Sequence, residues 1–261
     1  MSDLTALQLI QRVVAGTGAA GRPHTVDHVS AGDPTQAVTG IAAMSQATLE
    51  GLQKAARAGA NLVFTYDPAF WESGDNLNRL ETDALFLEKR DFIRAHNMVV
   101  FNLQDHLRDS MPDKIAAGLA RALGWQAEAG NANLFRRPAT TLLALAQELG
   151  AKLDAKTLRV VGDPRLPVSA VATSLGNTAQ MPGIALLNSP IDVLVCGYTH
   201  EWEVVEYCQD MVAVGLKKGL VLLGENASLN AGMKYAADWI GTVVTEVPVT
   251  FVALPEPYWN P

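Results

Sequence analysis

Polar side chains that could hold a metal ion or move a proton follow four short apolar runs of this chain. The runs are NLVFT, MVVFN, DVLVCG and GLVLLG, at residues 61–65, 98–102, 192–197 and 219–224. The polar residues that follow them are Tyr66, Asp67, Gln104, Asp105, His106, Tyr198, His200 and Glu225. Three of these are carboxylates, which repel one another at close range unless a cation or a proton joins them. If the runs end at one place, Asp67, Asp105 and Glu225 are therefore candidate ligands of a metal ion.

The types of donor predict which metal such a site would take. A ligand set made of oxygen atoms suits Mg²⁺ or Mn²⁺ better than zinc, which favours His and Cys. Tyr66 is a fourth candidate ligand, and Tyr66 and His106 are the candidate catalytic groups because either could orient or deprotonate a water. The expected cofactor is therefore either none or one weakly bound Mg²⁺ or Mn²⁺, and zinc is not expected.

The four apolar runs are typical of buried β-strands. They are rich in Val, Leu and Phe and have Gly and Pro nearby. A helical stretch lies inside each pair of runs, so each pair predicts a βαβ unit with two parallel strands. Parallel strands present their carboxyl ends at one edge of a sheet, where α/β proteins place their ligand sites. The polar residues after the strands are expected to converge for this reason.

The length of 261 residues allows either one large domain or two lobes. A second series of strands and helices begins near residues 151–158. We therefore predict an α/β fold of two related lobes, residues 1–150 and 151–261, with mainly parallel strands and a cleft between the lobes. The internal similarity is weak, so a duplication and an independent origin of the two lobes both stay open.

Composition argues against several classes of partner. The chain has 20 basic and 27 acidic residues, a net charge of -7 and no long basic cluster, so nucleic acid is not an expected partner. No apolar run reaches the roughly 18 residues that a membrane span needs. The first residues show helical spacing of apolar side chains and predict an amphipathic helix rather than a signal peptide. Two cysteines without CxxC spacing add to the expectation of a cytoplasmic protein.

Gly16, Gly18 and Gly21 spell the GxGxxG pattern of dinucleotide-binding proteins. That pattern requires a preceding strand and a following helix. Here it follows a predicted helix and runs into Pro23, so the segment is interpreted as a loop.

Longer segments of the chain resemble the Nif-three family, the hexameric proteins with a dinuclear metal centre that are also called GTP cyclohydrolase I type 2 homologues. The matching segments are GDPTQAVTGIAAM (32–44), TLEGLQKAARAGANLVFTYDPAFW (48–71), RVVGDP (159–164), IDVLVCGYTHEWE (191–203), KKGLVLLGENASLNAGMKYAADWI (217–240) and VPVTFVALPEPYW (247–259). The resemblance implies two α/β lobes with a metal site in the cleft between them, and assembly into a toroidal homohexamer.

The chain departs from this family at the metal ligands that the resemblance implies. The family has His-His-Pro or His-Glu-Pro where this chain has Tyr66-Asp67-Pro68. Asp105 matches a bridging aspartate, but the His beside it is Gln104. The remaining replacements are Tyr198 for a Glu, Glu225 for a His and Leu229 for a Glu. Since two ions about 3.5–4 Å apart need many donors, a dinuclear centre is not expected here.

Two functions remain open on this basis. The first is a Nif-three-like protein of unknown biochemical role, with a degenerate metal cleft lined by Tyr198, His200, Gln104 and Leu229, that binds or assembles without catalysis. The alternative is a metal-dependent, hydrolase-like enzyme that uses a single hard cation. The resemblance also raises nucleotide or cyclic-substrate chemistry. A homohexamer and a small-molecule ligand are the expected partners.

Overall fold

A computed structural model describes residues 4–71 and 77–261 of the chain. The strands are β1 (His28–Ala31), β2 (Ile41–Met44), β3 (Leu62–Thr65), β4 (Val99–Asn102), β5 (Ala127–Glu128), β6 (Asn131–Thr141), β7 (Arg159–Val161), β8 (Pro167–Asn177), β9 (Val193–Tyr198), β10 (Gly219–Leu222) and β11 (Val249–Phe251). The α-helices are α1 (Ala6–Gly16), α2 (Leu49–Arg57), α3 (Ala84–Ala95), α4 (Asp105–Asp109), α5 (Lys114–Leu123), α6 (Leu142–Leu153), α7 (Gln180–Leu187), α8 (Glu206–Ala213) and α9 (Glu225–Val243). A 3₁₀ turn (Leu77–Arg79) and a π-helical turn (Glu201–Val205) complete the described elements.

The chain forms two α/β units, each with its own sheet. The first unit contains Met1–Lys114 and Met233–Leu254, and the second contains Ile115–Gly232 and Pro255–Pro261. This division differs from the predicted boundary at residue 150, because β6 and α6 belong to the second unit together with β8. The chain also returns to the first unit at Met233, which no local sequence signal indicates.

The sheet of the first unit has the strand order β1-β4-β3-β2-β11. β11, β2, β3 and β4 are parallel neighbours, and β1 adds an antiparallel edge. Every residue of β2, β3 and β4 is buried. Strands covered on both faces are expected to be continuously apolar rather than alternating. This explains why the runs at 61–65 and 98–102 were recognisable as strands.

The sheet of the second unit has the order β5-β6-β8-β9-β10-β7. β8, β9 and β10 are parallel, whereas β5, β6 and β7 pair antiparallel with their neighbours. The runs at 192–197 and 219–224 correspond to β9 and β10, so the α/β prediction is confirmed in both units. Among the described helices, none is long and apolar enough to span a membrane.

Cys196 and Cys208 both lie in the core of the second unit. Burial raises the pKa of the Cys196 thiol to about 12 and that of Cys208 to about 11. Both side chains are therefore protonated at neutral pH and act as apolar core groups rather than as nucleophiles.

Candidate functional site

Two of the predicted strand ends meet at one edge of the first sheet. β3 and β4 are parallel neighbours, with Leu62 opposite Val99 and Thr65 opposite Asn102. Residues 66–68 and 104–106 therefore leave the sheet side by side. The Tyr66 hydroxyl accepts hydrogen bonds from Arg108 Nε at 2.6 Å and Gln104 Nε2 at 3.3 Å. The ends of β3 and β4 are therefore adjacent, and Tyr66 meets Gln104 there, whereas the expected common site of Asp67 and Asp105 stays a prediction.

Tyr66 is held as a neutral hydroxyl in this arrangement. Burial raises the pKa of Tyr66, and the nearby Arg108 guanidinium opposes that shift only in part. A phenol with a pKa above its usual value is protonated at neutral pH and is a poor base. The position thus favours a structural hydroxyl over a group that deprotonates water.

Asp105 belongs to the same cluster of side chains as Tyr66, Gln104 and Arg108, and a positively charged side chain neutralises it. Only 5 % of the residue is exposed. Its Oδ1 lies 2.6 Å from Arg22 Nη1. Its Oδ2 accepts hydrogen bonds from Thr25 Oγ1 at 3.1 Å and from the Val26 amide at 3.0 Å. Both carboxylate oxygens are therefore engaged by the segment that precedes β1.

The same guanidinium also binds Asp109, four residues further along α4. Arg22 Nε and Nη2 donate to the two Asp109 oxygens at 2.7 and 2.8 Å. The hydrogen bond with Asp109 raises the pKa of Arg22, and it lowers the pKa of Asp109 in turn. A planar guanidinium suits such a two-point contact with a carboxylate. Arg22 thereby joins two acidic residues of α4.

Asp27 holds the start of α4 in place. Its Oδ1 accepts from the amides of Gln104 and Asp105 at 2.7 and 2.8 Å. Its Oδ2 accepts from the His106 amide at 3.0 Å and lies 2.7 Å from His106 Nδ1. A carboxylate at a helix start satisfies amides that have no partner inside the helix. His106 is thus fixed by Asp27, and one of its ring nitrogens is occupied.

Asp67 faces a different environment from Asp105. It lines a cavity of about 270 Å³ together with residues 46–48, residues 68–71 and Lys89, and Asp105 is not part of that lining. Its backbone carbonyl accepts a hydrogen bond from Thr65 Oγ1 at 2.6 Å.

The remaining predicted residues belong to the second unit. Tyr198 is the last residue of β9, and Glu225 is the first residue of α9. The His200 ring is stacked on Trp202, and its Nδ1 lies 3.3 Å from Glu203. Leu229 is fully buried in α9. The predicted meeting of these residues with Tyr66 and Asp105 stays a prediction.

The donors of this cluster do not fit the dinuclear metal centre that the family resemblance implies. Within residues 4–71 and 77–261, no group of three or more His, Cys, Asp or Glu side chains is arranged to hold a metal ion. Asp105 already has a cation and two hydrogen-bond donors. The Tyr66 hydroxyl oxygen already accepts hydrogen bonds from Gln104 Nε2 and Arg108 Nε.

Several known proteins share this architecture. The Duf34/NIF3 (NGG1p interacting factor 3) family matches residues 27–216. Among solved structures, Staphylococcus aureus protein SA1388 is 14 % identical with a TM-score of 0.79, over 99 % of this chain and 100 % of that one. A Bacillus cereus protein related to NIF3 is 13 % identical with a TM-score of 0.80, over 100 % of both chains. The protein ybgI, of unknown function, is 20 % identical with a TM-score of 0.75, over 98 % and 100 %. No curated protein matches the chain. The family match covers well over half of the sequence, and the chain belongs to the DUF34/NIF3 family.

Proposed function

We propose that this protein is a non-catalytic member of the DUF34/NIF3 family that acts through binding and assembly. In this proposal an arginine side chain, rather than a metal ion, neutralises Asp105. The observation that carries it is the contact of the Arg22 guanidinium with both Asp105 and Asp109.

Charge competition explains why this contact opposes metal binding. A guanidinium stays protonated at any physiological pH, so Arg22 keeps its positive charge and its attraction to the Asp105 carboxylate. A metal ion that binds Asp105 must displace Arg22. The Asp105 carboxylate must then also give up its hydrogen bonds with Thr25 and Val26. Because the Arg22 side chain is 47 % exposed, losing its contact with Asp105 costs less than at a fully buried pair, about 1–3 kcal/mol, and a weakly held Mg²⁺ or Mn²⁺ must offset that cost.

Calorimetric titration of Mn²⁺ tests the proposal. We expect no saturable binding to the wild-type protein or to Asp105→Ala. Arg22→Gln should gain or strengthen Mn²⁺ binding if Arg22 competes for Asp105. Arg12→Gln is the matched control, because Arg12 forms a surface pair with Glu246 at 2.6 Å, away from Asp105.

Two outcomes would overturn the proposal in different ways. One ion bound by the wild type and lost in Asp105→Ala would support the metal-dependent, hydrolase-like alternative. Binding that is unchanged in Asp105→Ala would place the metal elsewhere.

The proposal also includes the oligomeric state of the protein and its cellular compartment. We infer a homo-oligomer, with a hexamer as the expected state, because family membership supports the resemblance on which that expectation rests. We place the protein in the cytoplasm, and the unpaired Cys196 and Cys208 support a reducing compartment.

A further inference from the structure

A cavity in the first unit supports an inference that does not depend on whether Asp105 binds a metal ion. The cavity that Asp67 lines is bounded by three segments, residues 46–48, residues 67–71 and Lys89. The first two segments follow the carboxyl ends of β2 and β3, where parallel α/β sheets place ligands. Its volume of about 270 Å³ lies just below the usual range for sites of drug-sized molecules, about 300–1,000 Å³. The cavity has room for one small molecule.

Lys89 brings a positive charge into this cavity. The residue is 4 % exposed and occupies the buried face of α3 between Phe86 and Ile93, where an apolar residue would be expected. Its ammonium donates to the backbone carbonyl of Ala69. An ammonium has three donors, and that carbonyl is its hydrogen-bond acceptor among the described residues. Burying such a charge is unfavourable unless a negative group accompanies it.

The start of α2 adds to the positive potential. Residues 46–48 line the same cavity, and Thr48 caps α2 by accepting from the Gly51 amide at 3.0 Å. The first turn of a helix carries a partial positive charge from its unpaired amides. The helix start and Lys89 therefore both favour a negatively charged ligand.

Trp71 supplies a flat apolar surface at the same cavity. The residue is 57 % exposed although it is large and apolar. Its ring packs edge-on against Phe70, with centroids 6.4 Å apart, and Lys89 Nζ lies over the ring, 5.2 Å from its centroid. An exposed tryptophan that lines a cavity offers a face on which a planar ring can stack.

We infer that this cavity binds a small molecule in which a carboxylate or phosphate is attached to a flat ring, with the anion at Lys89 and the ring against Trp71. Asp67 is the acidic residue in the lining, and its charge would repel an anion placed beside it. The anion is therefore assigned to Lys89, which carries the positive charge.

Calorimetry with benzoate and phenyl phosphate tests this inference, with EDTA present so that no metal bridges the anion to an acidic residue. Lys89→Met keeps the length and apolar character of the buried stem, and Trp71→Ala changes an exposed side chain. Lys114→Met is the matched control: Lys114 is also buried against a tryptophan, 4.4 Å from the Trp239 ring, but does not line the cavity.

We expect saturable binding of at least one probe, weakened about ten-fold or more in Lys89→Met and in Trp71→Ala and unchanged in Lys114→Met. Benzamide, which lacks the charge, and inorganic phosphate, which lacks the ring, should each bind more weakly. Failure of both probes to bind the wild type would overturn the inference, as would equal binding to Lys89→Met. Inorganic phosphate that binds as tightly as phenyl phosphate would overturn the role of Trp71. Because EDTA is present throughout, these results are independent of whether Asp105 binds Mn²⁺.

Discussion

At the scale of single residues, Arg22 brings a positive charge to Asp105, as a metal ion would, but it offers no open coordination position. Its guanidinium neutralises Asp105 and draws Asp109 to the same point. A catalytic metal also keeps an open position at which water binds and loses a proton. A guanidinium has only N–H donors and offers no such position. In the proposed function, Arg22 would therefore supply one positive charge at Asp105 without the chemistry of a metal ion.

Removing Arg22 should destabilise the fold. In Arg22→Gln, the nearly buried Asp105 carboxylate loses its positive partner, and we expect the free energy of unfolding to fall by about 1–3 kcal/mol. This is below the cost at a fully buried pair because the Arg22 side chain is 47 % exposed. Urea denaturation measures the change. Arg12→Gln, which breaks a surface pair, should cost less than about 1 kcal/mol. Equal losses in the two variants would show that the Arg22–Asp105 contact contributes no more to stability than a surface ion pair.

Lys89 should make stability depend on pH in the alkaline range. Burial lowers its pKa from 10.5 to about 8. The unfolded chain therefore binds more protons than the folded protein between these two values, so stability rises with pH across that window. Lys89→Met removes this dependence and should be more stable at pH 7 by about 1–3 kcal/mol, after the lost Ala69 hydrogen bond is allowed for.

Chemical denaturation of both proteins from pH 7 to pH 10.5 measures the effect. The advantage of Lys89→Met should shrink as the pH rises. Lys234→Met, at an exposed lysine, is the control and should show no such trend. A difference between wild type and Lys89→Met that stays constant with pH would contradict the assignment.

Local patterns indicated some of these residues and not others. The segment after each strand was visible as a polar stretch, so Tyr66, Asp67, Gln104 and Asp105 could be singled out. Lys89 also has a signal, since it interrupts the apolar face of α3. Arg22 and Asp27 have none, because each meets its partners about 80 residues later in the chain.

At the scale of elements, the strand-to-helix connection after β4 determines the geometry of the site. α4 has only five residues, and the Gln104 side chain makes no cap hydrogen bond at its start. Asp27, from the segment before β1, supplies that cap with both carboxylate oxygens. A short helix held from outside is positioned by tertiary contacts rather than by its own propensity.

Asp27→Ala should therefore loosen α4 more than the loss of an ordinary cap loosens a helix. Three amide hydrogen bonds and the His106 contact are removed together, and we expect a loss of about 2–4 kcal/mol. Asp83→Ala, which removes a single bond at the start of α3 (2.8 Å to Phe86), should cost about 1 kcal/mol. Thermal unfolding compares the two variants, and amide hydrogen exchange of residues 104–109 reports the local effect. Unchanged exchange in Asp27→Ala would refute the capping role.

The four apolar strands could be predicted, but β6 could not. β3, β4 and β10 are buried throughout, and β9 is buried except at its last residue, which gives short apolar runs that stand out in a sequence. β6 is largely exposed or half-buried and contains NANLFRRPATT, in which polar residues and a proline obscure the strand. Missing this strand also led to the boundary at residue 150, because α6 follows directly from β6.

At the scale of the whole molecule, the order of segments along the chain does not follow the two units. The first unit needs residues 233–254 to supply β11, which pairs with β2 at the edge of its sheet. Sequence patterns reveal strands but not which distant strand completes a sheet, so the α/β class with two lobes could be predicted and the return of residues 233–254 to the first unit could not.

Light scattering at micromolar concentration tests the expected assembly. We expect a mass several times the 27.9 kDa of one chain, close to six chains if the hexamer is correct. A mass of one chain across the concentration range would exclude an assembly role and leave ligand binding as the remaining function.

Metal analysis of protein purified without chelators or nickel resin tests the central claim most directly. If Arg22 neutralises Asp105 in place of an ion, plasma mass spectrometry after gel filtration should find Mg, Mn and Zn each well below one ion per chain. One or two tightly held ions per chain, lost in Asp105→Ala, would contradict the account and return the protein to the metal-dependent class.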